Sequence, residues 1–445
     1  MKDTKKGIEI NQNRKMNYLF NKKKTKQAIL DVAFILFVIS ILYRFVLMLF
    51  SPYAYKDWQV SEFLINYQSG FVRRGLMGEI LFFFAKNFNI NIEWTVKIFC
   101  TICFMVCCIF FVKLFQKKHY SLYILPLCFF LSGVVLSNDW IRKDYLFFCF
   151  FIPILWFYSN QHVSLTIKLI AINILSVFII LSHEVFTFFA LPVLFLLFFD
   201  RYKNTGIIRS FIFSSLCLFP SIFAFLLTLY FHGNPDTAQT IWESWTGLFN
   251  QAASDVGKSV NAIGWTSGDT FLFHFNHNFL SHNQGVFSSV VWIIILPVVY
   301  YISTNVLLVF RGKSDFCDRH KTVLSSVLIF QFLCLSPVFL VLSCDYVRVI
   351  FYWVASSFAI FLLIPMATIE TLTPCTFRTF VERINQKLTN FVQPTKTVLT
   401  VFMLFIGIAN YSFIEITYQS TMIYNILLVI SKPFILLTNN LMGFI

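Results

Sequence analysis

"LTIKLIAINILSVFIILSHEVFTFFALPVLFLLFF", residues 165–199, is almost wholly apolar and is broken near its middle by His183 and Glu184. A helix crosses the hydrocarbon core of a bilayer with about 20 apolar residues. The stretch is therefore too long for one span and suits two, 165–182 and 185–199, with the His–Glu pair between them. Comparable runs recur over most of the 445 residues, which are 58% hydrophobic and 19% aromatic, with 58 phenylalanines. Hydrocarbon cannot satisfy backbone amides, so such a chain must satisfy them within helices. The expected fold is all-α: a polytopic transmembrane helix bundle of about 11–12 spans. The spans read near 28–51, 92–113, 120–137, 145–160, 165–182, 185–199, 210–231, 286–310, 322–343, 349–370 and 397–414, with a further hydrophobic segment at 420–438.

The chain divides into a basic tail, residues 1–27, and a single transmembrane domain, 28–445, with two long outer loops, 52–91 and 232–285. The tail holds nine Lys or Arg and places the N-terminus in the cytoplasm. Alternating from there, most of the other basic residues fall in cytoplasmic turns. The net charge of +14 is then an orientation signal with some attraction to anionic lipid heads, and the lipid bilayer, not a nucleic acid, is the partner it calls for. The long basic region and the lack of a small-x-small pattern after the first apolar run argue for a retained anchor over a cleaved signal peptide. Most cysteines fall inside spans and the loop 232–285 has none, so no disulfide framework is implied. Cys103 and Cys107, one helical turn apart, read as small buried hydrophobes in preference to metal ligands.

Four charged clusters land on the outer face once the basic loops have fixed the topology: Asp57 with Arg73 and Arg74, "NDWIRKD" at 138–144, His183 with Glu184, and "CDYVR" at 344–348. Arg142 and Lys143 oppose the positive-inside bias, and ionisable groups at membrane depth are costly without partners. Each cluster alone also reads as an ordinary turn or a local ion pair; together they would line one outward-facing cavity. Arginines match phosphate oxygens bidentately, so Arg73, Arg74, Arg142, Lys143 and Arg348 are candidates for a donor phosphate. Asp57, against the first span, is the candidate base for an acceptor hydroxyl. Glu62, Asp144, His183, Glu184 and Asp345 are candidates for supporting acid–base work or for holding the acceptor. Gly70, Gly75 and Gly78, around the arginine pair, suit a sharp turn and a close approach to a ligand.

The loop 232–285 carries Trp242, Trp245 and Trp265, which suit either the lipid headgroup layer or a carbohydrate face. "GEILFFFAKNF", 78–88, is too short to cross and suits the interface. His274, His277 and His282 have Asp269 as the sole nearby acid and read as a polar loop in preference to a metal site. No metal site is assigned. No nucleotide-type phosphate loop and no nucleophile elbow are present.

A basic tail, one span, an immediate outer loop bearing an acid and an interfacial segment, and then many further spans resembles the C-type superfamily of membrane glycosyltransferases. The resemblance covers the layout of the chain and one catalytic position, Asp57 in "YKDWQ". It implies an acid in the first outer loop as catalytic base, a polyprenyl-phosphate-linked saccharide donor and, in some members, a divalent metal (Mg or Mn); the paired acids of such members are missing here. The chain is also similar to the enzymes that build bacterial O antigen. That likeness implies a polysaccharide acceptor and a multi-pass place in the bacterial inner membrane with the active site facing the periplasm, as part of lipopolysaccharide biosynthesis. The arginine and glycine eleven positions apart that mark O-antigen polymerases are absent: counting from Arg73, Arg74 and Arg348 reaches Phe84, Ala85 and Ala359. The expected function is transfer of a sugar to a surface polysaccharide precursor; repeat-unit polymerisation and transport of a lipid-linked saccharide are the alternatives.

Overall fold

In the computed structural model, the residues described are 51–127, 129–131, 133–136, 140–249, 255–276, 282–283, 286–310, 316–343 and 345–406, with part of 28–50. The basic tail, the segment 420–438 and His277 lie outside them. The helices in chain order are α1 (Trp58–Ser61), α2 (Gly75–Phe88), α3 (Ile92–Lys117), α4 (Gly133–Leu136), α5 (Asp144–Ser159), α6 (Leu165–Ser182), α7 (Phe186–Tyr202), α8 (Ile207–Cys217) and α9 (Phe219–Tyr230). They continue with α10 (Pro235–Trp245), α11 (Lys258–Asn261), α12 (Ser267–Phe275), α13 (Ser288–Val309), α14 (Asp318–Pro337), α15 (Tyr346–Leu363), α16 (Met366–Leu372), α17 (Cys375–Phe391) and α18 (Lys396–Ile406). Strand structure among the described residues is a two-rung antiparallel hairpin, β1 (His282–Asn283) on β2 (Val286–Phe287).

This is an all-α membrane protein. α3, α6, α14 with its π-helical extension to Leu342, and α15 are each long and apolar enough to cross a bilayer. α8 and α9 make a fifth crossing if taken as one bent span, with 68° between them. Pro220 explains the bend, because it lacks an N–H and its ring clashes with the carbonyl a turn earlier. α15 is the hub: every residue from Tyr346 to Leu362 is buried, against α5, α7 and α14. α3 and α6 are only a third buried and stand at the perimeter, facing lipid. The first span turns one stripe inward, Ile41, Phe45 and Met48, with Phe45 against Phe104 and Trp140.

The segment 120–137 differs from the expected span. Its described residues form a 3₁₀ turn at Leu122–Ile124, further turns and the single helical turn α4. Pro126 and Gly133 deny it a continuous helix. It nevertheless runs from one end of the bundle to the other: the Tyr120 ring stacks on Phe361 at the last turn of α15, whereas Arg142 lies beside the first. Irregular backbone at this depth is tolerated where protein covers it, and Ile124, Phe130, Val134 and Val135 are fully buried.

The two outer loops, separate in sequence, form one cap. Trp245 Nε1 donates to Leu64 O at 2.8 Å, Asn66 Nδ2 to Ser244 Oγ at 2.9 Å, and Ser259 N to Ser61 Oγ at 2.9 Å. Trp242 and Trp245 are 2% and 0% exposed, so they form the core of this cap, and neither the headgroup nor the carbohydrate reading holds for them. Gly75 and Gly78 serve chain-on-chain packing in place of ligand approach: a Cβ on Gly78 would lie 1.8 Å from Ile65 O, and one on Gly75 would lie 2.3 Å from the Tyr67 ring. α2 does carry exposed phenylalanines, Phe83, Phe84 and Phe88, as an interfacial segment requires.

Candidate functional site

Five junctions between elements converge under the cap. Glu62 begins the 3₁₀ turn after α1; Arg73 and Arg74 precede α2; Arg142 and Lys143 precede α5; His183 and Glu184 join α6 to α7; Asp345 and Arg348 open α15. Between them lies a cavity of about 460 Å³. Four arginines, Arg73, Arg74, Arg142 and Arg348, face three carboxylates there, Glu62, Glu184 and Asp345.

The charges are tightly partnered. Arg74 grips Glu184 through Nε at 2.9 and 3.0 Å, held by a left-handed backbone (φ 65°) that few non-glycine residues adopt. Arg142 Nη1 donates to Glu62 Oε2 at 3.1 Å and to Trp58 O at 3.2 Å. Arg348 is bidentate on Asp144, with Nε and Nη2 at 2.9 Å, and reaches Asp345 at 3.0 Å; the Tyr352 hydroxyl also donates to Asp144. Lys143, fully buried, donates to the carbonyls of Ser182 (3.1 Å) and Arg74 (3.3 Å) over the Phe63 ring. It pins the Arg74 and His183 loops together.

Three buried polar atoms break this pattern. Among the described residues, Glu62 Oε1, Arg142 Nε and Arg73 Nε have no hydrogen-bond partner. The Glu62 side chain is 3% exposed and that of Arg142 9%. A buried polar group without a partner is costly, so these atoms fit a polar ligand that completes them. Arg73 is also the least compensated cation: burial and Arg74 lower its pKa against a Glu184 oxygen 3.9 Å away.

Burial alone would push Glu62 up, but Arg142 and Arg348, with Lys143, hold it at about 2. Burial also raises Glu184, and Arg74 outweighs it, leaving that carboxyl well below its usual range. Burial and Arg74 push His183 down from 6.5 to about 3. Its imidazole is neutral, and because Nδ1 accepts from Val185 N (3.2 Å) the ring proton sits on Nε2, 3.7 Å from Glu62 Oε1. Burial lowers Lys143 to about 8.

Of the sequence candidates, Glu62, Arg73, Arg74, Arg142, His183, Glu184, Asp345 and Arg348 line the cavity. Asp57 does not: it stands 36% exposed at the start of α1, paired with Lys258 at 3.5 Å. Lys143 and Asp144 lie buried behind the wall as supports, so neither meets a ligand directly. Trp58, Trp265 and His232 line the cavity without having been singled out for it in the sequence; their placement depends on the cap, which joins residues some 200 positions apart. The apolar side is built by Phe188, Phe225, Leu229, Val341 and Leu342, of which Leu229 and Leu342 are 53% and 45% exposed.

A divalent metal finds no fitted set here. Among the described residues no three His, Cys, Asp or Glu come together to hold one, and Glu62, Glu184 and Asp345 are each committed to arginine. No protein-family model, curated protein or solved structure matches the chain.

Proposed function

We propose that the protein is a glycosyltransferase of the bacterial inner membrane, which transfers a sugar from a polyprenyl-phosphate-linked donor to an O-antigen or other surface polysaccharide precursor on the periplasmic face. The observation that carries this reading is the trio of unpartnered buried atoms on residues that line one cavity: two guanidinium Nε donors for a phosphate, and one carboxylate oxygen for a hydroxyl proton. The apolar wall supports a substrate with a lipid chain, since Leu229 and Leu342 both line the cavity and stay half exposed.

The phosphate of the donor docks on Arg73 and Arg142. The acceptor hydroxyl attacks the anomeric carbon, the bond from that carbon to the phosphate oxygen breaks, and the lipid phosphate leaves with the bonding pair. The hydroxyl proton passes to Glu62 Oε1. In the free protein Glu62, at about 2, is a weak base; an arriving phosphate shares the field of Arg142 and Arg348, and the added negative charge raises Glu62 toward the range useful for proton transfer. The base role thus moves from Asp57 to Glu62, in the same loop.

The test is complementation of a deletion strain, scored on the polysaccharide ladder and its sugar composition. Glu62→Gln and Arg73→Gln should each lower product at least about 100-fold with membrane levels unchanged, and Asp57→Asn should complement fully. Normal product from Glu62→Gln would sink the proposal. Full-length ladders of altered composition in the deletion strain support the transferase; single-repeat chains would reassign the same site to repeat-unit polymerisation.

A further inference from the structure

Trp265 is the tryptophan of the second outer loop that the cap core does not absorb. It lies on the loop between α11 and α12, its ring tilted on Phe273 at 4.9 Å and set at 81° to the Trp58 ring with 6.3 Å between centroids. Both tryptophans line the cavity, one from each outer loop. Neither indole N–H donates to a protein group among the described residues, whereas Trp245 in the core does. Around the corner they make stand three hydroxyls. Ser259 Oγ donates to Trp58 O (2.9 Å) and Thr270 Oγ1 to Thr266 O (3.0 Å), so their lone pairs stay open to a ligand's donors; Ser267 is exposed. His232 completes the rim.

A perpendicular aromatic corner with indole donors and hydroxyl acceptors matches a neutral pyranose. The apolar C–H face of such a sugar lies on the negative face of an aromatic ring, and its equatorial hydroxyls reach outward to donors and acceptors. A lipid headgroup would instead need the anchor turned to the bilayer, and a second phosphate would need cations, which here gather on the cavity floor.

We propose that Trp58 and Trp265 form a binding subsite for a neutral sugar residue of the acceptor glycan, with Trp265 as the stacking platform. The role as acceptor subsite rests on the transferase reading; binding of the sugar does not. The Trp265 side chain makes no hydrogen bond or ion pair with Arg73 or Arg142, so a variant at Trp265 changes acceptor affinity and leaves donor affinity alone.

The experiment uses the full chain in lipid nanodiscs and, as probe, the lipid-linked glycan isolated from the deletion strain. Saturation-transfer NMR reads contact between indole and sugar C–H protons, and a turnover assay reads the apparent KM for the same glycan. Trp265→Ala should abolish the transfer signal and raise the acceptor KM about tenfold or more with kcat within about twofold; Trp265→Phe, which keeps an aromatic face, should restore most of both. Binding and KM unchanged in Trp265→Ala would overturn the subsite even if the wild type is active. A wild type that binds the glycan through Trp265 yet transfers nothing to it would overturn the transferase reading and uphold the sugar site.

Discussion

His183 stands between two carboxylates, 3.7 Å from each, and is nevertheless neutral. Burial and the Arg74 guanidinium outweigh Glu184 and Glu62 and hold it near 3, so the native state binds fewer protons than the unfolded chain between about pH 3 and 6.5. Stability is then complete above pH 6.5 and falls as pH drops through that window, by about 1.4 kcal/mol for each unit of separation traversed. Glu62, depressed from 4.5 to about 2, adds its own loss only below pH 4.5. The melting temperature in detergent should therefore fall between pH 7 and pH 5, and His183→Gln, whose amide oxygen can still accept from Val185 N, should flatten that limb. An undiminished fall in His183→Gln would place the acid sensitivity elsewhere.

Among the elements, α2 is positioned by contact of backbone with backbone. Gly78 lets it close on Ile65 so tightly that a methyl group has no room: its Cβ would meet Ile65 O at 1.8 Å and Ile65 C at 2.5 Å. Ile65 follows the turn that carries Glu62, so Gly78→Ala should cost about 3 kcal/mol or more and lower the yield of folded protein. Gly70→Ala, with open space around its Cβ and only a positive φ of 93° to strain, should cost about 1 kcal/mol. Similar thermal stability in the two variants would refute this packing account. The sequence marked all three glycines but could not say what approaches them, because that depends on the path of the preceding turn. In the same way hydropathy located 120–137 as a crossing and misjudged its form: a window average registers apolarity, while Pro126, Gly133 and burial by protein decided against a helix. The site was legible where charge opposed the orientation bias, at Arg142 and Lys143, and where it broke an apolar run, at His183 and Glu184. That Glu62 and not Asp57 lines the cavity was not legible, because the two differ by little more than one turn of α1, and the side of that turn facing the cavity is fixed by Lys258 and Ser259 of the distant loop.

For the molecule as a whole, the two ends differ in charge. At the end away from the site, Lys117 and Lys118 close α3, Arg201 and Lys203 close α7, Arg209 stands in the first turn of α8 and Arg319 in that of α14, and the elements are tied there by Arg319 on Glu370 and by Thr371 on Asp200. The site end keeps its arginines buried or half-buried, each facing a carboxylate. Under the proposed function the positive-inside rule predicts that the site faces outward. This orientation depends on the irregular crossing made by the described residues between Tyr120 and Trp140. If residues 120–137 formed only a surface loop at the basic end, α5 would run outward from there and Asn160 would emerge on the opposite face from Lys118. With the crossing in place both positions share the basic face, and the outer end is visited between them at Arg142. Fusions of a reporter active only outside the cytoplasm should therefore be silent after Lys118, after Asn160 and after Thr205, and active when inserted at Gly247 in the cap. Activity after Asn160 with silence after Lys118 would remove the crossing, and activity after both with silence at Gly247 would place the cavity, and any lipid-linked donor it receives, on the cytoplasmic side.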